Sequence, residues 1–247
     1  MLNKIDIYLN VLYTELMQAS EVRGAKTIFV DCFNTVILRN TSKKIVFQNW
    51  AKSLEKEYHL HWEKIYHLYQ RTNFWLCLKK IFSGGVLQEN FDVVLKKMFR
   101  HLFRWLDNTS LQDFLETAKR LYWEQERDCH EVNQNFIQFL TLQKSAGKRI
   151  YIVSDFYCSS SAIKDWLTEL GVNDLFTDIF SSNDFGKEKS TRGLYKCLLK
   201  KLQIPANDVL MLGDNFWSDV LMARSCGLHA KQINHKRENK NGTKNFN

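Results

Sequence analysis

The sequence predicts an α/β fold, a parallel sheet with an all-helical insertion after its first strand, and three observations predict it. Two apolar runs end on acidic residues: Thr27-Ile28-Phe29-Val30 runs into Asp31, and Val209-Leu210-Met211-Leu212 into Gly213-Asp214. Open α/β sheets collect their ligands at such carboxyl ends. From residue 131 to 234, short apolar runs alternate with amphipathic stretches, the rhythm of a parallel sheet with helical crossovers. From Thr41 to His130 the apolar period is helical throughout.

The elements follow in order. Ile5, Leu9, Leu12 and Leu16 fall at helical spacing, so residues 1–24 are read as an N-terminal helix that packs on the core, with partner binding as its alternative role. The catalytic core is assigned to 25–40 and 131–234, and the helical cap to 41–130. Within the cap, Phe47-Trp50-Leu54 and Trp62-Ile65-Tyr69 recur at helical spacing. Gly84-Gly85 breaks the pattern, Phe91-Leu95-Met98-Leu102-Trp105 resumes it, and Ser110 to Asp113 resembles a capping box. Glu124 and Glu131 are expected on one face of a continuous helix. The many aromatics of this segment are first of all its own core.

Downstream, a helix from about Asn133 to Lys144 ends at Gly147 and feeds the strand Arg149 to Val153, which stops at Ser154-Asp155. A helix from about Ala162 to Leu170, the strand Asp178 to Ser181, a Gly/Lys loop and a helix from about Thr191 to Leu202 come next. Pro205 turns the chain into the strand that delivers Asp214. A helix from Val220 to Cys226 and a short strand, His229 to Ile233, complete the core.

Charge and cysteines narrow the function classes. The net charge of +8 resembles a nucleic-acid signal, but residues 131–230 carry eleven basic and eleven acidic groups. The excess sits elsewhere: fifteen basic against eleven acidic groups in 40–130, and five against one in 231–247. The cap charge either attracts an anionic small molecule or solvates a helix face. The Asn/Lys-rich tail, 235–247, is expected to be disordered. No nucleic-acid partner is expected. Six cysteines without a CxxC pair indicate neither a zinc site nor a disulfide framework, which fits a reducing cytoplasm. No apolar run approaches the roughly 18 residues of a membrane span. No membrane insertion is expected.

Asp214 and Asp219 lie five residues apart just past a buried strand, with Asp31 at a second acidic strand end. If the two strands are neighbours, these carboxylates share a hard, oxygen-liking cation such as Mg²⁺, which keeps sites for substrate phosphate oxygens. Taken singly, Ser154 reads as a turn hydroxyl and Lys189 as a solvated loop charge. His130 and His229 lack metal-ligand spacing and are read as structural.

This order of strand ends resembles the haloacid dehalogenase superfamily, Rossmann-like aspartate-nucleophile enzymes that are mostly Mg²⁺-dependent phosphatases. The resemblance covers about Ala25 to Ile233. It implies Asp31 as nucleophile, Ser154 and Asn34 as substrate-binding groups, and Lys189 or Lys187 as the charge-offsetting lysine. It further implies Asp31, the Phe33 carbonyl, Asp214 and Asp219 as metal ligands, and a small phosphorylated metabolite as substrate. Val-Ser-Asp-Phe-Tyr at 153–157 and the Asp-x-Phe-x-Thr form of 31–35 resemble a bacterial subgroup associated with surface-polysaccharide synthesis. A sugar, alditol or amino-alcohol phosphate would suit that subgroup.

The pattern is broken at one position. Phosphatases of this superfamily usually carry a second aspartate two residues after the nucleophile, and here that residue is Phe33. Asp155 is the nearest carboxylate in the inferred layout that could supply the missing proton, or it caps the local turn. Two alternatives stand beside the phosphatase. One is a 2-haloacid dehalogenase, which tends to have an aromatic residue at this position; the other is a non-catalytic binding or regulatory module.

Overall fold

The computed structural model describes residues 18–82, 91–103 and 108–233, together with Leu16. The expected Ile5–Met17 helix, Gly84-Gly85 and the tail beyond residue 233 lie outside the described residues, apart from Leu16, which is buried in the core. In chain order the elements are α1 (Ser20–Gly24), β1 (Thr27–Val30), β2 (Ile37–Arg39), α2 (Lys43–Tyr58), α3 (Trp62–Phe82), α4 (Phe91–Leu102) and α5 (Asn108–Asp128). Then come β3 (His130–Val132), α6 (Gln134–Ser145), β4 (Arg149–Ser154), α7 (Ser160–Glu169), β5 (Asp178–Ser181), α8 (Ser182–Phe185) and α9 (Gly193–Leu202). The chain closes with β6 (Val209–Gly213), a π-helical turn (Phe216–Leu221), α10 (Met222–Ser225) and β7 (His229–Gln232).

Five strands pair in the order β5-β4-β1-β6-β7, all parallel. The first strand is therefore the middle one: Val30 aligns with Ile152 on one side and with Leu212 on the other. The chain fills one half of the sheet, then crosses over to fill the other. That reversal beside β1 creates the crevice in which an open α/β sheet holds its ligand. Pleating sends Ile28 and Val30 to one face, where Phe136, Leu140, Ile163 and Trp166 cover them. Phe29 goes to the other face, against Leu194, Tyr195, Leu198 and Ala223. Both faces are dry, as an all-parallel sheet requires.

The insertion has its own core. Val46, Phe47, Trp50, Leu54, Ile65, Tyr69, Phe91, Leu95, Met98, Phe114 and Tyr122 pack among α2 to α5. Trp50 lies at its centre, fully buried, and its indole N–H donates to the Ala118 carbonyl at 2.9 Å. Ser42 caps α2 by accepting from the Ile45 N–H, while Asn133 caps α6 by accepting from the Phe136 N–H.

A short antiparallel ribbon was not expected from the sequence. β2 and β3 pair Ile37 with Val132 and Arg39 with His130, tying together the two ends of the insertion. Three residues of mixed polarity on each side leave no alternation to read. The ribbon also corrects the placement of Glu131: α5 stops at Asp128, and Glu131 stands exposed in β3, on no common helix with Glu124. Likewise α5 begins at Asn108, so Ser110 lies inside its first turn rather than ahead of it. Finally, the stretch expected as a helix from Val220 opens earlier, at Phe216, as a π-turn. Among the described residues no helix is long and apolar enough to cross a membrane.

Trp50→Ala empties the centre of the helical layer and removes the indole's bond to the Ala118 carbonyl. Denaturant unfolding should show a loss of about 3–5 kcal/mol, whereas an exposed change such as Lys44→Ala should stay within about 0.5 kcal/mol.

Candidate active site

Asp31 leaves the end of the central strand with its N–H donated to the Leu212 carbonyl at 2.8 Å, which holds it beside β6. Its carboxylate meets the ammonium of Lys189, Nζ to Oδ1 at 2.6 Å. The same Nζ lies 2.7 Å from Asp219 Oδ1. Lys189 is 2% exposed and Asp219 fully buried. Carboxylate oxygens of Asp31, Asp214 and Asp219 come within 4.8 Å of one another. Asp31 thus meets a loop and a strand end more than 150 residues away from it in sequence, in one small volume.

Each side chain is held by identifiable neighbours. The loop carrying Lys189 is tied to the end of β4, because the Asp155 carboxylate accepts from the Lys189 N–H at 2.8 and 3.1 Å and from the Ser190 N–H at 3.3 Å. Asp219 accepts from the Ser218 hydroxyl at 3.0 Å and from the Asn215 N–H at 3.1 Å. Asn215 caps the π-turn by accepting from the N–H groups of Trp217 and Ser218. Gly213 is required by close approach, since a Cβ there would stand 2.2 Å from Asp219 Oδ2. Asn34, in the left-handed region at φ 56°, bonds to Asp214, and the Gln232 amide donates to the Asp214 carbonyl at 2.8 Å. Ser154 is buried and accepts from the Phe156 N–H at 3.2 Å.

The electrostatics follow from three acids around one base. Burial pushes Asp31 up to about 8, with Lys189 opposing and the Asp219 and Asp214 carboxylates adding to the rise. Asp214 rises to about 6, through burial first and Asp219 second. Burial works against the charge of Lys189, but Asp219 and Asp31 outweigh it and hold the ammonium well above its ordinary range. With all groups ionised the cluster carries two uncompensated negative charges. An all-oxygen donor set with that deficit fits a hard divalent cation.

The structure places the two lysines differently: Lys187 lies outside the cluster, its Nζ 3.2 Å from Cys197 Sγ, while Lys189 enters it. Of the two roles expected for Asp155, proton donor or turn cap, the geometry shows backbone contacts: its carboxylate accepts from the N–H groups of Lys189 and Ser190 and anchors the lysine loop. Phe33 leaves the acid position apolar. Its ring stacks on Phe156 at 3.7 Å and meets His130 and Trp166 at 5.6 and 5.8 Å. His130 is buried, with Nδ1 2.5 Å from the Glu126 carbonyl oxygen. His229 stands exposed at the start of β7. Sequence reasoning missed the supports Asn215, Ser218 and Tyr195, whose phenol donates to the Ser218 carbonyl at 3.0 Å. Only the Asn-x-x-Ser-Asp spacing could have indicated the first two.

The haloacid dehalogenase-like hydrolase family matches residues 25–227, which include four of the five sheet strands, the insertion, and Asp31, Ser154, Lys189, Asp214 and Asp219. The chain belongs to that family. A glyceraldehyde 3-phosphate phosphatase from Methanocaldococcus jannaschii is 28% identical over 99 residues, 39% of this chain and 42% of the relative. The chain thus matches about two fifths of the length of that curated relative. Among solved structures, the putative HAD-hydrolase YfnB from Bacillus subtilis, bound to magnesium, aligns with a TM-score of 0.56 at 18% identity over 90% of both chains. A 2-haloacid dehalogenase from Pseudomonas syringae aligns with a TM-score of 0.61 at 13% identity over 89% of this chain and 91% of that one. At such identities these two structures establish the fold alone.

The raised carboxyls predict a pH-dependent response to metal. An acid whose folded pKa lies above its ordinary value stabilises fully below that value and loses the contribution as pH rises through the folded one. For Asp214 and Asp31 that window runs from 3.8 to about 6 and about 8. In chelator, the melting temperature should fall between pH 5 and pH 8. Mg²⁺ at about one hundred times its Kd adds about 2.7 kcal/mol, roughly 5–10 °C for a chain of this size. The gain should be larger at pH 8 than at pH 5; equal gains, or none, would contradict the shared-cation reading.

Proposed function

We propose that this chain is a Mg²⁺-dependent phosphatase that hydrolyses a small phosphorylated metabolite through an aspartyl-phosphate on Asp31. The observation that carries the reading is the Lys189 ammonium lodged between Asp31 and Asp219, with Asp214 completing a cation site. Asp31, Asp214 and Asp219, with the Phe33 carbonyl, would hold Mg²⁺, which when bound offsets the charge of the phosphoryl oxygens. Lys189 favours the ionised form of Asp31 against the burial that disfavours it, and holds the carboxylate in place for attack on phosphorus. The Ser154 hydroxyl, whose oxygen already accepts a backbone N–H, has its proton to donate to a phosphoryl oxygen, and Asn34 orients Asp214 through their hydrogen bond. Water then cleaves the acyl phosphate. The phosphatase relative supports this reading over its matched 99 residues.

The motifs at 31–35 and 153–157 carry the narrower proposal of a sugar, alditol or amino-alcohol phosphate from surface-polysaccharide synthesis, turned over in the cytoplasm. Free thiols at all six cysteines agree with that compartment. One observation favours a second reading: the apolar surroundings of Phe33 suit 2-haloacid dehalogenation, which needs no cation. The acidic trio opposes it.

Phosphate release from small phosphoesters, with Mg²⁺ and with chelator, tests the proposal alongside chloride release from 2-chloropropionate. Asp31→Asn should abolish phosphate release while leaving the fold intact, because Asp219 still pairs with Lys189 in that variant. Full activity in chelator, or chloride release alone, would overturn the reading. With no side-chain acid at position 33, p-nitrophenyl phosphate should be hydrolysed roughly 10²–10⁴ times faster than alkyl phosphates by kcat. Asp155→Asn should lower kcat by a similar factor on both ester types, because it loosens the Lys189 loop and removes no proton donor. A loss confined to alkyl esters would restore Asp155 as the acid.

A further inference from the structure

Where the loop after β4 meets the insertion, a second polar cluster lies apart from the carboxylates. The Arg39 guanidinium donates to Glu126 Oε1 and Oε2 at 2.9 and 2.8 Å. The Tyr122 hydroxyl donates to Oε1 at 2.6 Å, and Glu126 is fully buried. Two further donors beside them, Arg39 Nε and the Tyr157 hydroxyl, are buried without a hydrogen-bond partner among the described residues. Buried polar groups are nearly always partnered, so two orphans in one cluster call for an occupant that brings acceptors.

The position of Tyr157 indicates which occupant. It follows Ser154 by three residues, and its ring lies 4.3 Å from that of Phe156, which stacks on Phe33 beside the nucleophile. On its other side it stands 5.1 Å from both Tyr122 and Phe91 of the insertion. Tyr157 therefore links the phosphoryl site to the helical layer. Ring faces accept the C–H surface of a carbon chain, and the phenol and guanidinium donate to its hydroxyl oxygens. Glu126 already neutralises Arg39, so the cluster does not ask for a second anion.

We propose that Tyr157 and Arg39, backed by Tyr122 and Glu126, form the leaving-group subsite and recognise a neutral, hydroxylated carbon chain. This deepens the phosphatase reading and rests on it. The subsite gives binding energy to the part of the substrate that departs, on the same side where Phe33 replaces an acid.

The test compares kcat/KM for glycerol 3-phosphate and for propyl phosphate, which lacks the hydroxyls, in the unaltered protein and in Tyr157→Phe. The variant removes one hydroxyl and keeps the ring, and a ratio taken on one preparation is independent of its folded fraction. The unaltered protein should prefer the hydroxylated ester, and Tyr157→Phe should reduce that preference about tenfold. An unchanged ratio, with p-nitrophenyl phosphate still hydrolysed by the unaltered protein, overturns the subsite alone. Failure of the unaltered protein to release phosphate from any of the three esters overturns the phosphatase reading and the subsite with it.

Discussion

A lysine ammonium with almost no access to water, held between two carboxylates, organises this molecule. Lys189 can remain charged there only because Asp31 and Asp219 surround it, and they can approach each other only because it stands between them. Breaking such a buried pair leaves an uncompensated charge, which is strongly destabilising. Much of the local architecture answers that constraint. Asp155 fixes the lysine loop through backbone donors, Gly213 yields space for the Asp219 carboxylate, and the π-turn brings Ser218 and Asn215 to its oxygens. Asp214 adds the charge that makes the cluster a candidate cation site.

The other half of the site follows a different principle. Two residues after Asp31, Phe33, Phe156 and Trp166 form an apolar wall, with His130 edge-on to it. An ionised acid in that setting would be costly to bury. The wall continues through Tyr157 into the aromatic core of the insertion, so the surroundings of Asp31 are linked to the packing of the helical layer. The ribbon of β2 and β3 brings Arg39 to the same place.

Much of this was legible in the sequence because it rests on strong local patterns. Val30-Asp31 and Leu212-Gly213-Asp214 announce strand ends, and the helical period from Thr41 onward announces the insertion. The choice between Lys189 and Lys187 was not legible: both lie in one polar loop, and burial by distant carboxylates separates them. Asp155 was ambiguous for the same reason, since its partners are backbone groups of residues 189 and 190, far away in sequence. The ribbon escaped because Ile37-Leu38-Arg39 and His130-Glu131-Val132 are too short to show a period. The Arg39–Glu126 pair spans 87 residues and leaves no sequence signal.

The central claim is that Asp31 is a nucleophile kept in place by Lys189, and it is tested most directly by acid-quenching the protein during turnover of p-nitrophenyl phosphate with Mg²⁺ and mapping the products by peptide mass spectrometry. The account predicts a hydroxylamine-sensitive phosphoryl adduct on the peptide containing Asp31, absent from Asp31→Asn. Steady phosphate release with no adduct on that peptide, or with the adduct on another residue, would contradict it.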